Sequence, residues 1–269
     1  MTREAGRMGG SVHKGFSNGV ATLTLNCPDT GNALSVALAD DLAAKARDVA
    51  DDASVRCVLL TGTGRFFCVG GDVRAMYRAG DSIGPLVEQM TSPLHCAIST
   101  FLRMDKPLVI AVNGPAAGGG LGLAVMGDIV LASASAHFSM AYTGIGFSPD
   151  GAATWLLPRL IGLRRTQELA LLNRRLSSEE AASLGLITRV VPADQLDSQC
   201  RVIAETLARG PNRAFSTIRR LLQSSGALGV EAQMSAEALG VRMQAESAEG
   251  REGVAAFVTK RAPDFLSQA

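Results

Sequence analysis

The sequence predicts an α/β core followed by an all-helical C-terminal part. Strand-like and helix-like patterns alternate up to about residue 190, and from about residue 193 the apolar spacing is helical throughout. Glycine accounts for 29 of 269 residues, above the usual share of roughly 7%, and its clusters follow strand patterns. We therefore expect a flexible arm over 1–15, a core over 16–200, and a helical part over 201–269 that packs on the core or on a neighbouring subunit.

The strand patterns of the core are short and apolar. Val20–Leu25 alternates β-branched residues in period 2, and the other predicted strands are 55–61, 108–112, 128–132 and 187–191. From Leu34 to about residue 51, apolar residues recur on one helical face. Further helices are predicted over 84–103, 118–126, 151–160, 164–172 and 178–184, and in the C-terminal part over 194–209, 211–224, 228–248 and 250–259.

Composition limits the classes of partner. Lys and Arg total 26 against 25 Asp and Glu, so the chain has no broad basic field and we expect no nucleic-acid partner. Five cysteines without a CxxC pair predict the reduced thiols of a cytoplasmic protein, with Cys68 as the one candidate nucleophile among them. The N-terminus lacks a signal-peptide pattern, and no apolar run reaches the ~18–20 residues that span a bilayer. No spacing of residues suggests a metal site.

Two glycine clusters follow predicted strands. The segment 113–124 (NGPAAGGGLGLA) opens a helix, but no Lys-Ser/Thr follows it as in a P-loop, and Leu123 stands where GxGxxG requires its third glycine. Close backbone packing and anion binding are both open interpretations of this cluster. The second cluster is 66–72 (FFCVGGD). Two such loops can converge to place two N–H donors at one point, as in an oxyanion hole.

Four separated motifs resemble the crotonase, or enoyl-CoA hydratase/isomerase, superfamily. They are 32–35 (NALS), 66–73 (FFCVGGDV), 111–133 (AVNGPAAGGGLGLAVMGDIVLAS) and 251–261 (REGVAAFVTKR), and they occur in family order from about 16 to 265. The resemblance implies a ββα spiral core with a helical C-terminal part, and acyl-CoA substrates. Coenzyme A is then part of the substrate, and no separate cofactor is expected. The resemblance also implies a homotrimer or a dimer of trimers.

The resemblance further implies roles for individual residues. The backbone N–H groups of Gly71 and Gly119 would form the oxyanion hole for the thioester oxygen, and Ala33, Gly70 and Asp72 would border the substrate. Phe257 and Lys260 would reach the adenine and the 3′-phosphate of coenzyme A, or else belong to a solvated basic face. Many relatives carry a basic residue just before the Asn-Ala-Leu motif, where this chain has Gly31, so one phosphate contact is in doubt.

The sequence departs from the hydratase pattern at both catalytic glutamates. Gly122 and Tyr142 occupy the two corresponding positions, and neither residue is a carboxylate base at neutral pH. Asp150 is the one acid nearby. It can be the N-cap of the predicted helix 151–160, or a single acid/base that moves a proton between two carbons. The segment 140–162 is similar to ring-1,2-epoxyphenylacetyl-CoA and Δ3,Δ2-enoyl-CoA isomerases, which favours an isomerase.

A second template within the superfamily is the 4-chlorobenzoyl-CoA dehalogenase type. It uses an aspartate nucleophile, at the position of Asp150, with a histidine that activates water, and His95 stands at the corresponding place. His95 is otherwise an ordinary helix histidine. Leu94 and Tyr142 replace the tryptophans of that pocket, so this hydrolytic hypothesis ranks second. A weak enoyl-CoA hydratase and a non-catalytic acyl-CoA binder are the remaining alternatives.

Overall fold

The computed structural model describes residues 11–268, and those residues form two β-sheets and a set of helices. The strands are β1 (Val12–Ser17), β2 (Val20–Leu25), β3 (Cys57–Gly62), β4 (Leu108–Val112), β5 (Ala116–Ala117), β6 (Ile129–Ser133), β7 (His137–Ser139), β8 (Leu176–Ser177) and β9 (Arg189–Val191). The larger sheet has the order β1-β2-β3-β4-β6-β9. Its first pair is antiparallel and its other pairs are parallel. The smaller sheet has the order β5-β7-β8.

The helices connect the parallel strands and then continue beyond the sheet. They are α1 (Val36–Asp51), α2 (Val73–Ala79), α3 (Ile83–Arg103), α4 (Gly119–Val125), α5 (Ala153–Ile161), α6 (Leu163–Leu172), α7 (Ser178–Leu184), α8 (Leu196–Ala208), α9 (Asn212–Ser224), α10 (Val230–Ala245) and α11 (Ala248–Val258). Among the described residues, none of these helices is both long and apolar enough to cross a membrane.

Both faces of the larger sheet are buried at its central strands, because alternate side chains of those strands enter two separate apolar clusters. In β3, Val58 and Leu60 face the larger cluster, where α1, α3, α4 and α5 contribute. Cys57 and Leu59 face the smaller cluster, which α8 covers. Burial on both faces explains why these strands are continuous apolar runs in the sequence.

Helix α1 shows how the sequence specifies an element. Ser35 is its N-cap, and the Ser35 side chain accepts a hydrogen bond from the Leu38 N–H at 3.2 Å. Leu38, Leu42 and Val49 are buried on one face of the helix and join the larger apolar cluster with residues of α3. The cap fixes where the helix begins, and the apolar stripe fixes which face is buried.

The structure confirms the α/β core and the helical C-terminal part, and it corrects the expected arm. Residues 12–15 of that arm belong to β1, which pairs with β2 along its whole length; residues 1–10 lie outside the described residues. Five of the six β1 residues are exposed, so this edge strand has no apolar alternation to reveal it. The expected boundary at 200/201 falls inside α8, which packs on the sheet.

Candidate active site

A cavity of about 630 Å³ lies beside the two glycine clusters. Its walls come from the two glycine loops, from α2 and α3, and from the segment 141–150 that precedes α5. Most of the lining side chains are apolar. The lining residues are Leu34, Val69, Gly70, Gly71, Val73, Met76, Val87, Met90, Thr91, Leu94, Gly118, Gly119, Ala141, Tyr142, Ile145, Gly146, Phe147, Ser148, Pro149 and Asp150.

The two glycine loops converge at the wall of this cavity. Cys68 and Ala116 form a parallel bridge, and the loops then run side by side. Gly70 and Gly118 both have positive φ, 91° and 54°. A Cβ atom on Gly118 would lie 3.6 Å from the Gly70 Cα, and one on Gly70 would lie 2.8 Å from the Ala117 carbonyl oxygen. Glycine is therefore required here both for backbone conformation and for close approach.

Gly71 and Gly119 each present a backbone N–H group without a partner among the described residues. Leu34 bonds to the residues on either side of Gly71: its N–H donates to the Gly70 carbonyl at 2.8 Å, and its carbonyl accepts from the Asp72 N–H at 3.3 Å. In this parallel pairing the Gly71 N–H points away from Leu34. Gly119 is the first residue of α4, where an N–H has no intrahelical acceptor. Both glycines line the cavity.

Asn32 holds the first glycine loop from behind, a role that the sequence did not reveal. Its buried side chain donates to the carbonyls of Thr63, Phe66 and Phe67 at 2.9–3.1 Å and accepts from the Cys27 N–H at 2.8 Å. Asn32 itself has a φ of 55°, which asparagine tolerates better than most residues. The NALS motif thus positions the loop that carries Gly71.

Asp150 is the only carboxylate that lines the cavity among the described residues. The Tyr142 hydroxyl donates a hydrogen bond to Asp150 Oδ1. A Cβ atom on Gly119 would lie 3.7 Å from the same oxygen, so the carboxylate lies beside Gly119. Helix α5 begins at Ala153, and its N-cap residue is Ala152, without a side-chain cap. The N-cap interpretation of Asp150 is therefore wrong.

Tyr142 remains a hydrogen-bond donor to Asp150 across the neutral range. Burial raises the pKa of its phenol well above the ordinary value, and the negative charge of Asp150 raises that pKa further. The residue at the second glutamate position is therefore not a base. It instead anchors and orients the one carboxylate of the cavity, through Oδ1.

Gly122, at the first glutamate position, lies directly under the Asp150–Gly151 turn. A Cβ atom on Gly122 would lie 2.2 Å from the Gly151 carbonyl oxygen and 3.1 Å from its carbonyl carbon. Gly151 has a φ of 59° and Ala152 a φ of 61°, so this turn is already in an unusual conformation. A glutamate at 122 and the Asp150 turn as it stands exclude each other sterically.

His95 contacts the same turn from α3. The Gly151 N–H donates to His95 Nε2 at 3.3 Å, and Asp150 Oδ2 lies 3.7 Å from the same nitrogen. The His95 side chain is 52% exposed and lines a second cavity of about 540 Å³, together with Arg103 and Trp155. The structure thus brings His95 and Asp150 together, as the second template requires.

The residues predicted to bind the substrate differ in their position relative to the cavity. Gly70 lines it, whereas the Asp72 side chain caps α2 by accepting from the Ala75 N–H at 2.9 Å. Ala33 is buried next to Leu34, outside the lining. Phe257 and Lys260 are exposed and do not line the cavity within this chain.

Cys68 is not a nucleophile in this structure. It is fully buried, and burial raises the pKa of its thiol to about 12, so it is not a thiolate at neutral pH. No group of three or more His, Cys, Asp or Glu residues that could hold a metal was found within 11–268.

The sequence missed the apolar wall of the cavity. Val73 and Met76 stand on α2, which was not predicted because the segment is only seven residues long. Val87, Met90 and Leu94 repeat at helical spacing on α3. That repeat was visible in the sequence, but it could not show that part of the apolar face lines a cavity rather than the core.

The fold and the cavity together place two backbone N–H groups without a partner among the described residues, those of Gly71 and Gly119, and the Asp150 carboxylate at one cavity of an α/β protein. A sequence model described as enoyl-CoA hydratase/isomerase matches residues 15–268. The chain therefore belongs to the enoyl-CoA hydratase/isomerase family of acyl-CoA enzymes, as the four motifs predicted.

Relatives in this family carry both isomerase and hydratase names. The chain is 40% identical over 256 residues to the 1,2-epoxyphenylacetyl-CoA isomerase of Escherichia coli (strain K12), covering 93% of this chain and 96% of that protein. It is 30% identical over 246 residues to the 2,3-dehydroadipyl-CoA hydratase of the same organism, covering 91% and 94%. An enoyl-CoA hydratase structure from Polaromonas sp. JS666 superposes with a TM-score of 0.90 at 29% identity, covering 95% and 99%.

Proposed function

We propose that this chain is an enoyl-CoA isomerase, which shifts a double bond along the acyl chain of a coenzyme A thioester. The proposal rests on one observation: Asp150 is the only carboxylate among the described residues that line the cavity. Hydration needs one group to activate water and another to protonate the α-carbon. A double-bond shift needs a single group that removes a proton from one carbon and returns it to another.

In the proposed mechanism, Asp150 takes a proton from the α-carbon of a 3-enoyl thioester. The C–H electron pair moves into the conjugated system, and the negative charge develops on the thioester oxygen. The N–H groups of Gly71 and Gly119 donate to that oxygen and stabilise the dienolate; removal of one such donor typically costs about 10²–10³ in rate. Protonated Asp150 then delivers its proton to the γ-carbon, which leaves the double bond at the 2-position.

The contacts of Asp150 support this role for its two oxygens. Oδ1 is held by the Tyr142 hydroxyl, so Oδ2 is the oxygen free to exchange a proton. The turn that carries Asp150 also occupies the space that a glutamate at position 122 would need. Two features therefore favour a reaction that uses a single carboxylate: Asp150 is the one carboxylate among the described lining residues, and its turn leaves no space for a glutamate side chain at position 122.

The C-terminal residues expected to bind coenzyme A bear on the oligomeric state of the protein. Within one chain Phe257 and Lys260 are not among the residues that line the cavity, so we propose that they reach the nucleotide of a substrate bound to a neighbouring copy. Exposed apolar side chains on α9, α10 and α11 support such an association, and we propose a homotrimer or a dimer of trimers. These side chains are Ile218, Leu222, Val230, Leu239, Val241 and Val254. We further propose that coenzyme A enters only as part of the substrate, without a separate cofactor.

The test of the proposed function is Asp150→Asn assayed with a 3-enoyl-CoA. The amide keeps the size of the side chain but is not a proton acceptor, so we expect kcat to fall by at least about 10²-fold. Asp194→Asn, at an exposed position outside the cavity lining, is the matched control and should retain wild-type activity. Activity of Asp150→Asn within a few-fold of wild type would refute the assignment.

The proximity of His95 to Asp150, 3.7 Å between Nε2 and Oδ2, also favours a second candidate, a hydrolytic dehalogenase or thioester hydrolase. In that reaction the Asp150 carboxylate attacks the substrate and expels a leaving group. A dehalogenase would lose halide and form an aryl ester, whereas a thioester hydrolase would lose the coenzyme A thiolate and form an anhydride; water then hydrolyses the intermediate and frees Asp150. Turnover in ¹⁸O-labelled water separates the two functions, because only a nucleophilic aspartate acquires solvent oxygen in its own carboxylate. Tight binding without turnover of any acyl-CoA would instead identify a binding protein.

A further inference from the structure

His95 Nε2 lies between a hydrogen-bond donor and a hydrogen-bond acceptor. The Gly151 N–H is 3.3 Å away and Asp150 Oδ2 is 3.7 Å away. A backbone N–H can only donate, so the nitrogen that receives it must carry a lone pair. The neutral imidazole in this structure therefore has its proton on Nδ1.

The two protonation states of His95 satisfy different neighbours. The neutral ring accepts from Gly151 and stabilises the Asp150–Gly151 turn, while Asp150 Oδ2 stays free. The imidazolium has a proton on Nε2, which can no longer accept from Gly151 and is attracted to the nearby carboxylate instead. A shift of about 1 Å would bring the 3.7 Å separation to the usual length of a charge-assisted hydrogen bond. The half-exposed side chain has room for that shift.

We propose that His95 is a positioning residue that makes Asp150 available only when its imidazole is neutral. Protonated His95 would bind Oδ2 while the Tyr142 hydroxyl holds Oδ1, so both oxygens of the single base would be engaged. The same protonation would release the Gly151 N–H and loosen the turn. This inference rests on the proposed role of Asp150 as the base, and it gives His95 a role other than activation of water.

The charged groups around His95 make Asp150 its principal partner. Asp150, on the turn before α5, is the one carboxylate that contacts the ring among the described residues. Arg103 lines the second cavity on the same helix as His95. Arg159 of α5 stacks on Trp155 at 4.0 Å from the ring centre, and Arg47 of α1 bonds to the neighbouring Cys96. Both Arg47 and Arg159 are thus engaged by other side chains, and Asp150 is the charged group closest to the ring among the described residues.

The experiment compares pH profiles of kcat/KM for wild type and His95→Gln with a 3-enoyl-CoA. The glutamine Oε1 accepts from the Gly151 N–H but does not titrate. We expect the high-pH rate of His95→Gln to stay within a few-fold of wild type, and its loss of activity on acidification to move to lower pH. His95→Leu, which cannot accept, should lose roughly five-fold or more in kcat with little change in KM. His13→Gln, a histidine on β1, is the control and should leave the profile unchanged.

Each outcome decides a separate point. An acid limb that is the same in wild type and His95→Gln would overturn the inference, as would complete loss of activity in His95→Gln at every pH. No isomerisation by wild type at any pH would refute the proposed function itself. A readout that needs no variant is ¹⁵N NMR of the three histidines in the wild-type protein. We expect the neutral His95 ring to carry its proton on Nδ1, and an Nε2–H tautomer would contradict the proposal.

Discussion

At the scale of single residues, Gly122 matters because its lack of a side chain leaves space for the turn that carries Asp150. A Cβ atom there would meet the Gly151 carbonyl oxygen at 2.2 Å. The absence of a second carboxylate is therefore coupled to the turn that positions the first one. Restoring a glutamate by a single substitution would displace Asp150 and would not recreate a two-glutamate hydratase.

This coupling predicts that Gly122→Ala is harmful although it adds only a methyl group. The Asp150 turn must shift, so we expect a loss of about 1–3 kcal/mol in the free energy of unfolding and at least ten-fold lower isomerase activity. Chemical denaturation and steady-state kinetics measure the two effects. Gly84→Ala, in α3 with no atom within 4 Å of the new methyl group, should leave both unchanged or slightly raise stability. Equal behaviour of the two variants would contradict the coupling.

At the scale of elements, sequence patterns predicted the buried strands because burial on both faces produces continuous apolar runs. β2 and β4 occur at their predicted bounds, 20–25 and 108–112. The edge strand β1, the two-residue strands and the short helix α2 were missed, since they bury few residues or make few repeats. A strand or helix can be predicted from sequence when its own residues show the apolar periodicity of that element. The missed elements lack such a periodicity and are stabilised by contacts with neighbouring segments.

In the candidate site too, only the residues that belong to a local sequence motif could be predicted. Gly71, Gly119 and Asp150 could be named because their motifs resemble those of the family. The hydrogen bonds of Tyr142 and Asn32, and the exclusion of a side chain at 122, depend on segments that are distant in sequence. Asn32 bonds to carbonyls more than 30 residues away. No local pattern encodes such contacts.

At the scale of the whole molecule, Arg219 connects the helical C-terminal part to the core. This buried residue of α9 donates to the carbonyls of Phe101, Met104 and Lys106 and pairs with Asp128 at 2.9 Å. Phe101 and Met104 lie at the end of α3, the helix that carries His95 and part of the cavity wall. The C-terminal part is thereby attached to the element that forms the site.

We predict that Arg219→Met lowers the free energy of unfolding by about 3–5 kcal/mol, because buried carbonyls and Asp128 lose their partner. Arg220→Met is the neighbouring control. Arg220 is exposed and lies 3.8 Å from Asp105, so its loss should cost less than about 1 kcal/mol. Urea denaturation of both variants tests the difference, and similar midpoints would show that Arg219 does not link the two parts.

We propose that the Asp150 carboxylate and the backbone N–H groups of Gly71 and Gly119 move a double bond without adding water. The most direct measurement is product analysis after wild-type protein is incubated with a 3-enoyl-CoA and, separately, with a 2-enoyl-CoA. We expect interconversion of the 3-enoyl and 2-enoyl thioesters, with 3-hydroxyacyl-CoA formed at least about 10²-fold more slowly. Formation of 3-hydroxyacyl-CoA from the 2-enoyl thioester at a rate equal to or above that of isomerisation would contradict it.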